Sequence, residues 1–92
     1  MNRIFLFDAL IQMKAITENG GTFSFSYRKY DRQRKQGGDL VVVKNAKLRS
    51  KPMDGEIEDS LHKLFYTDVD NNEQRVCWQI LVMSFNGKTT FL

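Results

Sequence analysis

Cysteine, proline and histidine each occur once in this 92-residue chain, and each scarcity removes a class of explanation. With Cys77 alone, no intrachain disulfide can form, so the fold must rest on its core, and a reducing compartment is the easier home. No histidine or second cysteine lies near it in sequence, so Cys77 reads as a small strand residue rather than a reactive thiol. His62 has no second histidine, cysteine or carboxylate at ligand spacing and reads as a surface or strand-edge residue. No segment reaches the roughly 18 to 20 apolar residues of a membrane span. The amino-terminal MNRIFLFDALIQMKAI is interrupted by Asp8, Gln12 and Lys14, and no small-residue cleavage site follows it, so neither a signal segment nor a membrane partner is expected.

Catalytic constellations are missing too. No serine or cysteine has a histidine nearby, no metal-ligand spacing occurs, and no glycine-rich phosphate loop opens a helix. A non-enzymatic protein without catalytic residues, cofactor or metal is expected. Asp68-Val69-Asp70-Asn71-Asn72 starts like a calcium loop, but the sixth position is Glu73 instead of glycine and the twelfth is Gln79 instead of glutamate. It reads as a polar hairpin turn.

What is present suffices for one domain over residues 1–92: 41% of the residues are hydrophobic and 12% aromatic. Charge is uneven along the chain. Nine cations between Arg28 and Lys51 face two acids, a net +7; after Lys51, three cations face seven acids, a net −4; the part before Arg28 balances. Such polarity suits nucleic-acid binding through the middle, a basic patch docking on a neighbour's acidic patch, or simple balance across one solvated surface.

Apolar residues at helical spacing predict a helix over about 6–18: Leu6, Leu10, Met13 and Thr17 with Ile16, widened by Phe7, Ile11 and Ala15, and stopped by Asn19-Gly20-Gly21. Strands are predicted at about 22–30, 40–48, 61–67, 74–85 and 88–92. In the first, Phe23, Phe25 and Tyr27 alternate with Ser24, Ser26 and Arg28. In the second, Leu40, Val42, Ala46 and Leu48 share the expected inner face, with Lys44 an anomaly implying that the strand twists or leaves the core there. The fourth, apolar on both faces at its far end, is expected to be central, and Asn86-Gly87 predicts a type I′ turn into the last strand. The expected fold is α+β, a helix on a mainly antiparallel sheet of about five strands, with a small open β-barrel of the oligonucleotide-binding type as the alternative.

The strands over 22–30 and 40–48 flank a basic loop closed by Gly37-Gly38. Arg28, Lys29, Tyr30, Arg32, Arg34 and Lys35, with Lys47 and Arg49 further on, are the candidate contact residues for a partner or for nucleic acid. Single-stranded nucleic-acid binders combine a cationic groove with aromatic rings on which bases stack. Here Tyr30 is the expected ring, because Phe23, Phe25 and Tyr27 read as core. Asp54, Glu56, Glu58 and Asp59, in the proline-containing loop of residues 50–60, form the complementary acidic surface.

The phenylalanine-rich strand after a short helix, the basic loop ending in Gly37-Gly38, the VVVKNAKLR segment, RVCWQILVMSFNGK and Phe91 together make the chain resemble a group of small proteins of Bacteroidota phages and prophages. That resemblance implies a non-enzymatic structural or virion-assembly protein, capsid-associated or connector-like, acting in the bacterial cytoplasm or the virion. It would work through contacts with itself or other virion proteins. A single-stranded nucleic-acid-binding protein is the alternative. The acidic 54–59 stretch departs from the group.

Overall fold

In a computed structural model, residues 2–31, 36–49 and 62–92 are described. The chain runs β1 (Arg3–Phe5), α1 (Leu6–Glu18), β2 (Phe23–Asp31), β3 (Gln36–Leu48), β4 (Lys63–Asp68), β5 (Glu73–Trp78), a 3₁₀ turn (Gln79–Leu81), β6 (Val82–Phe85) and β7 (Lys88–Phe91). The architecture is α+β. Among the described residues its sheet has seven strands rather than about five, in the order β1-β7-β6-β2-β3-β4-β5, and is mixed because β1 pairs with β7 in parallel.

Two causes raise the strand count. The extended entry to the helix is itself a strand, and the segment expected as one long strand breaks at Gln79–Leu81 into β5 and β6. The break also corrects its expected place: β6 is interior to the sheet, while β5 forms an edge.

The helix has the predicted bounds. A Schellman motif ends it: the Gly20 N–H donates to the Thr17 carbonyl and the Gly21 N–H to the Ile16 carbonyl, with Gly20 at φ +81°. Leu6, Ala9 and Met13 are buried, with Leu10 and Ile16 partly so; Phe7, Ile11 and Ala15 are exposed, so the buried stripe is narrower than the sequence suggested. Thr17 ties the helix to the sheet, donating to the Met13 carbonyl and accepting from the Leu48 N–H.

The sheet curls upon itself. Three bulges drive the bend: two on β3, opposite Ser24 and Lys29, and one on β6 at Met83. As a result β2 and β4, two strands apart in the sheet, face each other across the core. Phe25 meets the Tyr66 ring edge-on at 5.0 Å, and the Tyr27 and Tyr66 hydroxyls share a buried 2.8 Å hydrogen bond. Phe23, Val43, Ala46, Leu64, Cys77, Val82 and Phe85 complete the interior.

The bulge opposite Ser24 overturns the expected inner face of β3. Lys44 and Asn45 together occupy the space opposite one residue, so the strand's phase inverts between Val43 and Ala46. Val43 and Ala46 are both buried, Val41 packs against the core, and Leu40 and Val42 face outward. Lys44 lies at the inversion and is exposed.

Both tight turns follow their residues. Asn86 (φ 47°) and Gly87 (φ 82°) adopt the left-handed backbone a type I′ turn requires. In the β4–β5 turn, Asp68 accepts from the Asn71 backbone and side-chain amides, and Asp70 accepts from the Asn45 amide. His62 lies just before β4 rather than at its start.

Candidate nucleic-acid interface

Among the described residues, β2 beyond Tyr27 pairs only with β3, because β6 ends its pairing there, and β5 pairs only with β4. Curling of the sheet brings these two stretches together. Between them lies a cleft of about 400 Å³, lined by Tyr27, Arg28, Lys29 and Tyr30 on one side and Arg75, Val76, Cys77 and Trp78 on the other. Tyr27 and Cys77 are buried, so the floor is apolar while the walls are cationic and aromatic.

The walls are partly organised. Tyr30, 47% exposed, meets the Trp78 indole edge-on with centroids 6.4 Å apart. Lys63, directly opposite Trp78 in the β4–β5 ladder, places its Nζ 5.0 Å from the indole centroid, within cation–π range. The Arg28 guanidinium donates to the Gly38 carbonyl at 3.2 Å, which steadies it along the hairpin. Arg75 pairs with Glu73, an exposed contact that orients the guanidinium and contributes little stability. Three cations, Arg28, Lys29 and Arg75, thus line the cleft beside two aromatic rings, a fourth, Lys63, sits over the indole, and one carboxylate, Glu73, pairs with Arg75.

Cys77 forms part of the floor but is no nucleophile, since burial pushes its thiol up to about 12. Burial, and next the Tyr27 hydroxyl, hold Tyr66 above the ordinary tyrosine range, so the Tyr66 hydroxyl beneath the cleft stays neutral. Among the described residues, no group of three histidine, cysteine, aspartate or glutamate side chains could hold a metal ion, and no helix is long and apolar enough to cross a membrane.

The structure brings together Arg28, Lys29 and Tyr30 of the residues expected from sequence. Lys47 sits seven residues along β3 from Leu40, the residue opposite Arg28, which is on the order of 20 Å at a strand's rise. Arg49, beyond the end of β3, lays its guanidinium over Phe65 at 5.3 Å. Arg32, Arg34 and Lys35, and the acidic Asp54, Glu56, Glu58 and Asp59, lie outside the described residues. Sequence reasoning missed Lys63, Arg75 and Trp78. No local signal set them apart: Trp78 sits in the largely apolar run of residues 76–82 and reads as one more strand residue.

Compared with protein-family models, with curated proteins and with solved structures, the chain matches none.

Proposed function

We propose that this protein is a non-enzymatic binding protein whose cleft between β2 and β5 takes single-stranded nucleic acid. The observation that carries this reading is the pairing of Tyr30 with Trp78 inside a ring of Arg28, Lys29, Lys63 and Arg75. An unpaired base offers a π-face to the rings, and its flanking phosphates meet the cations; neither contact depends on base identity. The cleft is too small for a duplex and of a size for one or two splayed bases, so selection for single strands follows from shape.

Trp78 is the chain's single tryptophan, so its fluorescence reports the surroundings of the cleft's indole, and titration at one fixed protein concentration isolates the effect of ligand. Titration with a short oligothymidylate should quench it. If three or four phosphates are neutralised, the logarithm of affinity should fall with the logarithm of salt at a slope of about −2 to −3. Tyr30→Ala should cost about 1 to 3 kcal/mol of binding. Unchanged emission at low salt, with oligonucleotide in large excess, would remove the reading.

A second reading, assembly of a phage or prophage particle through protein contacts, is supported by the resemblance to phage proteins and by two sheet edges, β1 and β5. Exposed edges accept a strand from another chain. In this reading the +7 middle of the chain meets carboxylates rather than phosphates, and Asp54, Glu56, Glu58 and Asp59 supply such an acidic surface on a neighbouring copy.

A further inference from the structure

A second concave region adjoins the cleft on the far side of Trp78. There Leu6, Phe7, Trp78, Ile80 and Leu92, with His62 and Gln79 the polar members, line a mainly apolar groove of about 440 Å³, which continues past Ile80 and Leu92 to Met83 and Phe91. Phe5 joins the two ends, its ring 5.3 Å from Phe7 and 5.8 Å from Phe91. Ile11 extends the surface by one helical turn beyond Phe7. Phe5, Phe7, Ile11, Ile80, Met83, Phe91 and Leu92 are 36 to 68% exposed, yet together they form one continuous face.

We propose that this face is a two-fold interface between two copies of the chain. Large apolar residues carry about 200 Å² each, so exposures of this size leave on the order of 700 Å² of surface. That is close to the roughly 800 Å² each partner contributes to a standard stable interface, and above the few hundred Å² a monomer usually exposes in one patch. The face can also pair with itself. Phe7 and Ile11, four residues apart, form a ridge that an antiparallel copy of α1 fits about a two-fold axis. Beside the face, Arg3 lies over Phe91 at 4.6 Å and Asp8 follows Phe7, so each copy carries one charge of either sign that a second copy can complement.

A lipid surface is a poorer occupant. The exposed charges of α1 are Asp8, Lys14 and Glu18, which lack the cationic excess that draws an amphipathic helix to anionic headgroups. The inference narrows the assembly reading to one partner, a second copy, and shares with the nucleic-acid cleft only Trp78.

Size-exclusion chromatography with light scattering over a concentration series tests it. The expected mass is twice 10.8 kDa, giving way to the monomer on dilution. Phe7→Glu on the helix and, separately, Ile80→Glu after β5 should each weaken dimerisation on the order of a hundredfold, because either buries a charge at the centre of the interface. Val69→Lys, at an exposed apolar residue in the β4–β5 turn, should leave the dimer intact. Circular dichroism confirms that all three variants fold. A monomer at several hundred micromolar would overturn the proposal, as would a dimer indifferent to both glutamates or a larger open-ended assembly. If instead the wild-type protein is a monomer that co-sediments with phosphatidylcholine vesicles, the face belongs to a membrane surface and the dimer is refuted. Because Phe7 and Val69 lie outside the lining of the Tyr30–Trp78 cleft, oligonucleotide binding by Phe7→Glu and Val69→Lys, measured alongside, separates failure of the dimer from failure of the cleft.

Discussion

At the scale of single residues, the Tyr27–Tyr66 hydroxyl pair shows how a polar contact can sit in this core at low cost. Both residues are almost fully buried and each hydroxyl satisfies the other. Tyr66→Phe leaves the Tyr27 hydroxyl without that partner and should destabilise the fold by about 1 to 3 kcal/mol; Tyr27→Phe with Tyr66→Phe should cost less than the single change, because no orphan remains. Urea unfolding of the three variants checks the ordering, and a double variant costing the sum of the singles would contradict it. Cys77 makes a pH-dependent contribution. Its folded value, raised to about 12, exceeds that of the free thiol in the unfolded chain, so the unfolded state releases its proton first. Stability from this group is therefore full below about pH 9 and falls as pH rises toward 12, by about 1.4 kcal/mol per unit. Cys77→Ala should flatten the alkaline slope between pH 9 and 10.5 in denaturant midpoints, where the wild type declines.

At the scale of elements, what was legible followed local chemistry. The helix limits came from apolar spacing and a glycine stop, the last hairpin from Asn86-Gly87, and β2 from the Phe23-Phe25-Tyr27 alternation. Gly20 illustrates how specific such signals are. Its φ of +81° strains any side chain, although a Cβ there would meet nothing within 4 Å. Gly20→Ala should therefore cost about 1 kcal/mol of backbone strain alone, and Gly20→Asn less, since asparagine tolerates the left-handed region; thermal melts of both variants provide the check. What was not legible depended on pairing. A bulge leaves no composition signature, and only the awkward placing of Lys44 marked the phase inversion in β3. The break at Gln79–Leu81 hides inside an apolar run, and three residues are too few for β1 to show a period. The site divides the same way. Arg28, Lys29 and Tyr30 announce themselves as basic and aromatic neighbours, whereas Trp78 and Arg75 become part of the cleft only because a curled sheet carries β5 to the end of β2.

At the scale of the molecule, Trp78 stands between two surfaces of different chemistry, a cationic cleft and an apolar groove, and takes part in both. The sheet order also has a consequence for connectivity. The parallel pairing of β1 with β7 sets Arg3 beside Thr89 and Phe5 beside Phe91, and the Thr89 N–H donates to the Asn2 carbonyl at 3.1 Å. Four residues of strand rise, about 13 Å, therefore separate position 92 from position 2, a gap that roughly six flexible residues bridge. A circular permutant joined there and opened in the exposed turn between Asn71 and Asn72 would keep every strand pair described above. It should unfold cooperatively with only a modest loss of stability, which far-ultraviolet melts would register. The strand order is thus held by pairing across the sheet, and a chain entered at the β4–β5 turn can build the same neighbours.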